Sequence, residues 1–335
     1  MAIRTAWKLV NLAILLVLLV VLMGGWTRIN DAGLSCPDWP GCYGHIVMPG
    51  SHEALEVAQQ RYPDTPIEKY KTWLEMGHRY LAGTLGLLIA ALAGIALFNR
   101  KVKAYPVGLS VSLLVLVVVQ ALFGMWTVTL KLHPLVVTLH LMGGLMTLTL
   151  LLLLRQKLKR MNVREPLNQA TVQRWFLLGL FLLLLQIALG GWTSSNYAGY
   201  ACTHWLSCNP GTELGYDFAA GFDPVKSIGP NYQGGQLGVE ARAAIQMVHR
   251  AGALVVLTYT LMLLWCFSRV SALAAPLRLL TGLVIAQVGL GIANIIHAVP
   301  ISLAMAHHFM AVAVLLAMLW AYDRAGMPAK EVVNG

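Results

Sequence analysis

Residues 24–42 read GGWTRINDAGLSCPDWPGC, and residues 190–208 read GGWTSSNYAGYACTHWLSC. Laid on each other without a gap, they share Gly-Gly-Trp-Thr, Asn30 with Asn196, Ala32-Gly33 with Ala198-Gly199, Cys36 with Cys202, Trp39 with Trp205 and Cys42 with Cys208. Chance does not preserve so many positions, so the chain is an internal duplication in which one structural unit is used twice. Outward from these stretches the correspondence continues: His78-Arg79 answers His249-Arg250, Gln120 and Gly124 answer Gln287 and Gly291, and His140 answers His307.

The 335 residues are 58% hydrophobic and only 11% charged, with a mean hydropathy of +0.67. An ordinary soluble domain has roughly 25% charged residues, so this chain needs lipid around it. A bilayer core about 30 Å thick asks for about 20 apolar residues per helix. Eight stretches qualify, near 9–27, 78–98, 107–129, 134–154, 175–193, 244–267, 277–297 and 301–321. The first reads as a retained helix, because Gly24 and Gly25 follow it where a signal peptide has an A-x-A cleavage site. The expected fold is therefore all-α, a polytopic membrane protein of eight transmembrane helices in two repeated four-helix bundles, residues 1–160 and 161–335. Four spans per copy orient both alike, as parallel repeats about an axis along the membrane normal.

A formal charge of +10 does not point to nucleic acid here, because the basic residues occupy short connections rather than an aromatic-studded face. Arg4 and Lys8, Arg100, Lys101 and Lys103, Arg155, Lys157, Lys159, Arg160 and Arg164, Arg174, Arg269 and Arg278, and Arg324 and Lys330 all fall on one side. The positive-inside rule makes that side cytoplasmic, with both termini. The long loops 28–77 and 194–243 then lie outside. Within the first, the stretch from His52 to Lys71 reads as an amphipathic surface helix.

Cys36 with Cys42 and Cys202 with Cys208 have identical spacing and lie on the oxidising side, so each pair is expected to form a disulfide. Such a bond can simply staple a loop or take part in thiol exchange. The spacing is wider than that of usual zinc-binding pairs. Cys266 has no counterpart and reads as a free structural thiol.

Of ten histidines, four repeat. His78 and His249 stand at the start of the second and sixth apolar stretches, and His140 and His307 lie about 9 Å along the fourth and eighth at 1.5 Å per residue. Polar groups at membrane depth are costly and mark function by default. Two imidazoles at like depth on different helices of one bundle can grip a flat iron macrocycle as axial ligands. The bland alternative is a helix-to-helix hydrogen bond, but a set of four that survives duplication favours haem ligation. His45, His52 and His204 are loop residues, and His133, His297 and His308 fail the repeat test. Arg79 and Arg250 are candidates to pair with haem propionates or to snorkel.

One position breaks the symmetry. Glu75 stands three residues before His78, where Gln246 stands before His249. A carboxylate in one half alone suits a division in which one site moves protons and the other only electrons. The alternative is a first-turn Glu favoured by the helix dipole.

The Gly-Gly-Trp-Thr-Arg stretch leading into Leu34-Ser35-Cys36-Pro37-Asp38-Trp39-Pro40, the Glu75-x-x-His78-Arg79 motif, His140, His249-Arg250 and His307 together resemble the haem A synthase family, over essentially all eight spans. The resemblance implies oxidation of the methyl group of haem O to a formyl group, by successive hydroxylations through an alcohol and a hydrated aldehyde that loses water. It implies a haem b cofactor on His249 and His307, substrate haem on His78 and His140, and a catalytic Glu75. The cysteine pairs carry over as Cys36 with Cys42 and Cys202 with Cys208, although family members differ in which pairs they have. Haem O synthase is the implied upstream partner, and cytochrome oxidase or its assembly factors the recipient, at a bacterial inner membrane with the long loops periplasmic. Two other readings use the same histidines: a dihaem b-type cytochrome passing electrons from quinol, and a haem carrier without chemistry. The cytochrome gives no special reason for Glu75 to lack a repeat partner.

Overall fold

A computed structural model describes residues 2–48, 51–161, 170–208 and 215–326. Arg164 and Lys330, counted above among the basic residues, lie outside these. The described elements are helices: α1 (Ala2–Ile29), α2 (His52–Arg61), α3 (Lys69–Phe98), α4 (Val107–Thr129), α5 (Pro134–Arg160), α6 (Ala170–Ser195), a 3-10 turn (Ala198–Tyr200), α7 (Phe218–Phe222), α8 (Val239–Phe267), α9 (Ser271–Ile296) and α10 (Ile301–Ala325). Among the described residues, eight of the helices are long and apolar enough to cross a membrane. Helices suit that medium because every backbone N–H and C=O finds its partner within the segment.

The helices outrun the apolar stretches that announce them. α3 starts at Lys69 and α8 at Val239, about nine or ten residues ahead of their histidines, because hydropathy registers only the lipid-facing middle and helical backbone continues beyond it. His78 and His249 therefore sit inside helices rather than at their openings. The amphipathic helix expected from His52 to Lys71 is shorter. Ser51 caps it, accepting from the Ala54 N–H, and it ends at Arg61, where Pro63 and Pro66 remove backbone donors. Lys69–Lys71 belong to α3.

The chain divides into two compact units. The first holds α1 to α5. In it α1 packs on α3 and α5, and α4 packs on the same two, so the four long helices close a ring. This unit also takes in Ser227–Gln233: the Tyr232 N–H donates to the Lys131 carbonyl at 3.0 Å, and its ring stands edge-on to His133, centroids 5.3 Å apart. In the second unit, α6, α8, α9 and α10 close a ring in the same chain order.

The corner that feeds α5 recurs before α10. Lys131 and Leu132 adopt left-handed φ of 47° and 61°, and Ala298 and Val299 adopt 54° and 53°. Each pair closes a bond back to the preceding helix, Leu132 N–H to Thr127 O at 2.8 Å and Val299 N–H to Asn294 O at 2.7 Å. Non-glycine residues in this region cost roughly 1–2 kcal/mol each, so packing must hold them. The side chains that hold the corners meet repeated glycines: a Cβ on Gly33 would stand 3.1 Å from Leu132, and one on Gly199 would stand 3.6 Å from Val299. The outcome is a fixed lead-in of eight residues to His140 and to His307.

Both cysteine pairs are disulfides, Cys36–Cys42 and Cys202–Cys208. The first is fully buried with Tyr43, Met48, Ala58 and Met76. Cys266 is a free, exposed thiol. Within the first loop a Cβ on Gly41 would come within 2.6 Å of the backbone oxygen of His45, an atom that cannot swing aside. Gly41→Ala is expected to cost about 1–3 kcal/mol through overpacking. The measurement is the apparent melting temperature in detergent, which should fall, with earlier proteolysis between residues 36 and 45.

Candidate functional site

α3 carries Glu75, His78 and Arg79 on its second and third turns, and α5 carries His140. The His78 and His140 rings have centroids 6.3 Å apart and planes at 86°. The helices that face them approach closely enough to need glycine. A Cβ on Gly24 of α1 would stand 3.0 Å from the His78 ring, and one on Gly124 of α4 would stand 3.5 Å from the His140 ring. The Nδ1 atoms of both rings are buried and have no side-chain partner.

The second unit repeats the plan. His249 on α8 and His307 on α10 lie close enough for their charges to interact. Gly190 of α6 backs the His249 ring at 3.2 Å and Gly291 of α9 backs the His307 ring at 3.3 Å, measured from the Cβ each lacks. His307 Nδ1 is likewise buried without a side-chain partner, whereas His249 Nδ1 meets the Gln186 amide at 3.1 Å.

Among the described residues no three His, Cys, Asp or Glu side chains converge to hold a metal ion. Two imidazoles per unit would suit a metal that brings its equatorial donors in a macrocycle. Two imidazoles sharing one iron, with bonds of about 2 Å and roughly 1 Å more to each ring centre, have centroids about 6 Å apart. The His78–His140 separation fits that span.

Glu75 is buried, 4% exposed, and its two oxygens are fully engaged. Oε2 accepts from the Ser35 hydroxyl at 3.0 Å and from the Cys36 N–H at 2.9 Å. Oε1 pairs with Arg79. Arg79 in turn donates to the carbonyls of Asp38 at 2.8 Å, Pro40 at 3.3 Å and Gly41. The carboxylate and guanidinium thus fasten the disulfide loop onto α3. Because α3 starts at Lys69, Glu75 lies in its second turn, too far along for a first-turn dipole role. Beneath the same loop, burial pushes the Tyr43 phenol up to about 12, with the carboxylates of Glu75, Asp38 and Glu68 adding to the effect. Its hydroxyl stays protonated and shared between the Thr65 and Pro66 carbonyls.

Among the described residues the second unit has no such node. Gln246 is buried where Glu75 stands, and Ala201 replaces Ser35. Arg250 gives one nitrogen to the Trp205 carbonyl at 3.0 Å, while its Nε and Nη2 are buried without partners. Arg79 is thus committed to the loop and Glu75, whereas Arg250 keeps donors for an anion such as a propionate. Of the remaining histidines, His45, His52, His204 and His297 are exposed. His133 packs on Tyr232, and His308 is half-buried beside Phe309.

The sequence model of a family described as "Cytochrome oxidase assembly protein" matches residues 7–319, nearly the whole chain. The chain belongs to the cytochrome oxidase assembly protein family. Within it, the chain is 42% identical over 313 residues to a heme A synthase of Shewanella oneidensis, covering 93% of this chain and 94% of that one. It is 26% identical over 331 residues to a heme A synthase of Rhizorhabdus wittichii, covering 92% and 91%. A heme A synthase of Brucella ovis is 26% identical over 317 residues, covering 88% and 85%.

For this family member, the reading of the residues singled out the histidines, Glu75 and the cysteines, but missed Ser35, the four backing glycines and Gln186. The glycines had a visible signal, since Gly24 with Gly190 and Gly124 with Gly291 are repeat partners. Ser35 had none, because a serine in a loop is unremarkable until the carboxylate beside it is known. Removing one partner of a buried ion pair strands the other and costs about 3–5 kcal/mol. Arg79→Met should therefore lower stability by that order, and the double variant Glu75→Gln/Arg79→Met should recover a substantial part of it. Denaturation of the two variants in detergent is the measurement.

Proposed function

We propose that this protein is a haem A synthase, which oxidises the methyl group of haem O to a formyl group in successive hydroxylations, with the hydrated aldehyde losing water at the end. The observation that carries the reading is the unequal pair of sites: His78 and His140 face each other in the first unit and His249 and His307 lie within electrostatic reach in the second, but among the described residues only the first adds a buried carboxylate. The 42% identity to a heme A synthase over 93% of the chain supports it.

In this reading residues 1–160 form the substrate half and 161–335 the cofactor half. His78 and His140 hold the iron of the substrate haem, and the glycines behind them let the rings lie flush against α1 and α4. Glu75, one turn from His78, is the group that accepts and returns protons as the methyl carbon is oxidised. Ser35, the Cys36 N–H and Arg79 fix its oxygens in place, and the strapped disulfide loop keeps water from that end of the site. His249 and His307 hold haem b, which supplies one-electron transfer when bound. Arg250 offers its free donors to a propionate. The chain sits in a bacterial inner membrane with both termini cytoplasmic and the long loops periplasmic, between haem O synthase upstream and cytochrome oxidase or its assembly factors downstream.

The test is expression beside haem O synthase in a host lacking haem A, followed by pigment extraction and chromatography. Haem A is expected from the natural chain. Haem O in its place is expected from Glu75→Gln, with product falling at least 100-fold, the scale of a lost general base. Extracts containing haem b and nothing else bound to the purified protein would instead establish a dihaem cytochrome.

A further inference from the structure

Gln186 on α6 makes a side-chain contact with His249 that has no side-chain equivalent at His78 among the described residues. Its Nε2 lies 3.1 Å from His249 Nδ1 and 2.9 Å from the His249 carbonyl oxygen. Its Oε1 is buried and has no hydrogen-bond partner. The amide can occupy this place because residue 252 is glycine: a Cβ there would overlap Gln186 Oε1 and stand 3.3 Å from its Cδ.

The duplication shows what the amide replaced. Under the register that lays Gly24 on Gly190, Gln186 falls on Val20. Under the register that lays His78 on His249, Gly252 falls on Leu81. The pair is thus Val20 with Leu81 in one unit and Gln186 with Gly252 in the other, a long amide with an open notch in place of two apolar side chains. Val20 meets His78 through its backbone carbonyl alone and brings no polar side chain to the ring. Both rings are still backed by a repeated glycine, so the packing of the ring is shared and the side-chain partner is not.

We propose that Gln186 is the positioning residue of the C-terminal haem ligand, fixing the tautomer and donor strength of His249 so that the two haem sites have different redox properties. This rests on the reading that His249 ligates a haem. An imidazole that binds iron through Nε2 carries its remaining proton on Nδ1 and normally donates it to an outer partner, which orients the ring and makes it a stronger donor. A half-turn of the Gln186 amide exchanges its ends and presents the buried Oε1 to Nδ1–H. The exchange gives up the bond to the His249 carbonyl, which keeps its place in the α8 ladder, and Oε1 must draw away from that oxygen toward Nδ1–H, since two acceptors repel at 2.9 Å. A stronger donor to iron favours the ferric state and lowers the midpoint potential.

The experiment uses the purified, haem-loaded protein, titrated potentiometrically, with haem b told apart from haem O or A by pyridine haemochrome bands and ferric ligation followed by electron paramagnetic resonance. Gln186→Leu should raise the midpoint of the haem b centre and alter its ferric signal, leaving the other haem unmoved. Gln186→Glu, a stronger acceptor for Nδ1–H, should shift it the opposite way. Val20→Gln with Leu81→Gly should carry the lowering over to the N-terminal haem. Natural-type potentials and spectra in both Gln186 variants would overturn the proposal. If Gln186→Leu loses its haem, Gln186→Glu decides by retaining haem b at a lowered midpoint. Should both lose it, an unmoved N-terminal haem in the Val20/Leu81 variant overturns the proposal, and a lowered one supports it. His249→Ala is the separate control: unchanged haem b spectra there would sink the ligation reading itself.

Discussion

A polar group carried to membrane depth has no water to fall back on, and that cost organises this protein at every scale. Backbone groups meet it by forming helices that satisfy their own donors and acceptors. Side chains meet it by convergence, as in Glu75, whose two oxygens collect a hydroxyl, a backbone N–H and a guanidinium. Because two of those three donors come from the disulfide loop, the same contacts that make the carboxylate tolerable also hold the loop on α3. Arg79 completes the arrangement by spending its other nitrogen on loop carbonyls.

The imidazoles follow the same logic differently. Each leans on a helix that has given up a side chain at the point of contact, at Gly24, Gly124, Gly190 and Gly291. The Nδ1 atoms of His78, His140 and His307 are buried without a side-chain partner, whereas that of His249 meets Gln186. The left-handed corners at Lys131-Leu132 and Ala298-Val299 belong to this economy. Strain in the backbone is accepted so that α5 and α10 start in a fixed place relative to their histidines.

Duplication followed by divergence explains how one plan yields two unlike sites. The glycines, the histidines, the corners and the disulfides were kept in both halves. What changed is the polar surroundings of the imidazoles: Ser35 and Glu75 stand against Ala201 and Gln246, and Val20 and Leu81 stand against Gln186 and Gly252. Ser35 bonds Glu75, and Gln186 fills the notch at Gly252, so the changes are chemically coherent rather than scattered.

The eight spans, the internal repeat of the sequence and the cysteine pairing were legible in the residues alone, because hydropathy over about 20 positions and a repeat are patterns along the chain. Helix starts were not, since backbone hydrogen bonding continues past the apolar run, and neither was the end of α2 at Arg61. Only the tertiary structure decided that Ser35 reaches Glu75 across 40 residues, that Arg79 is committed to the loop while Arg250 is not, and that Gln186 meets His249 across 63. Those contacts depend on which faces of separate helices and loops meet, and the order of residues along one strand of chain does not encode that until the helices have packed.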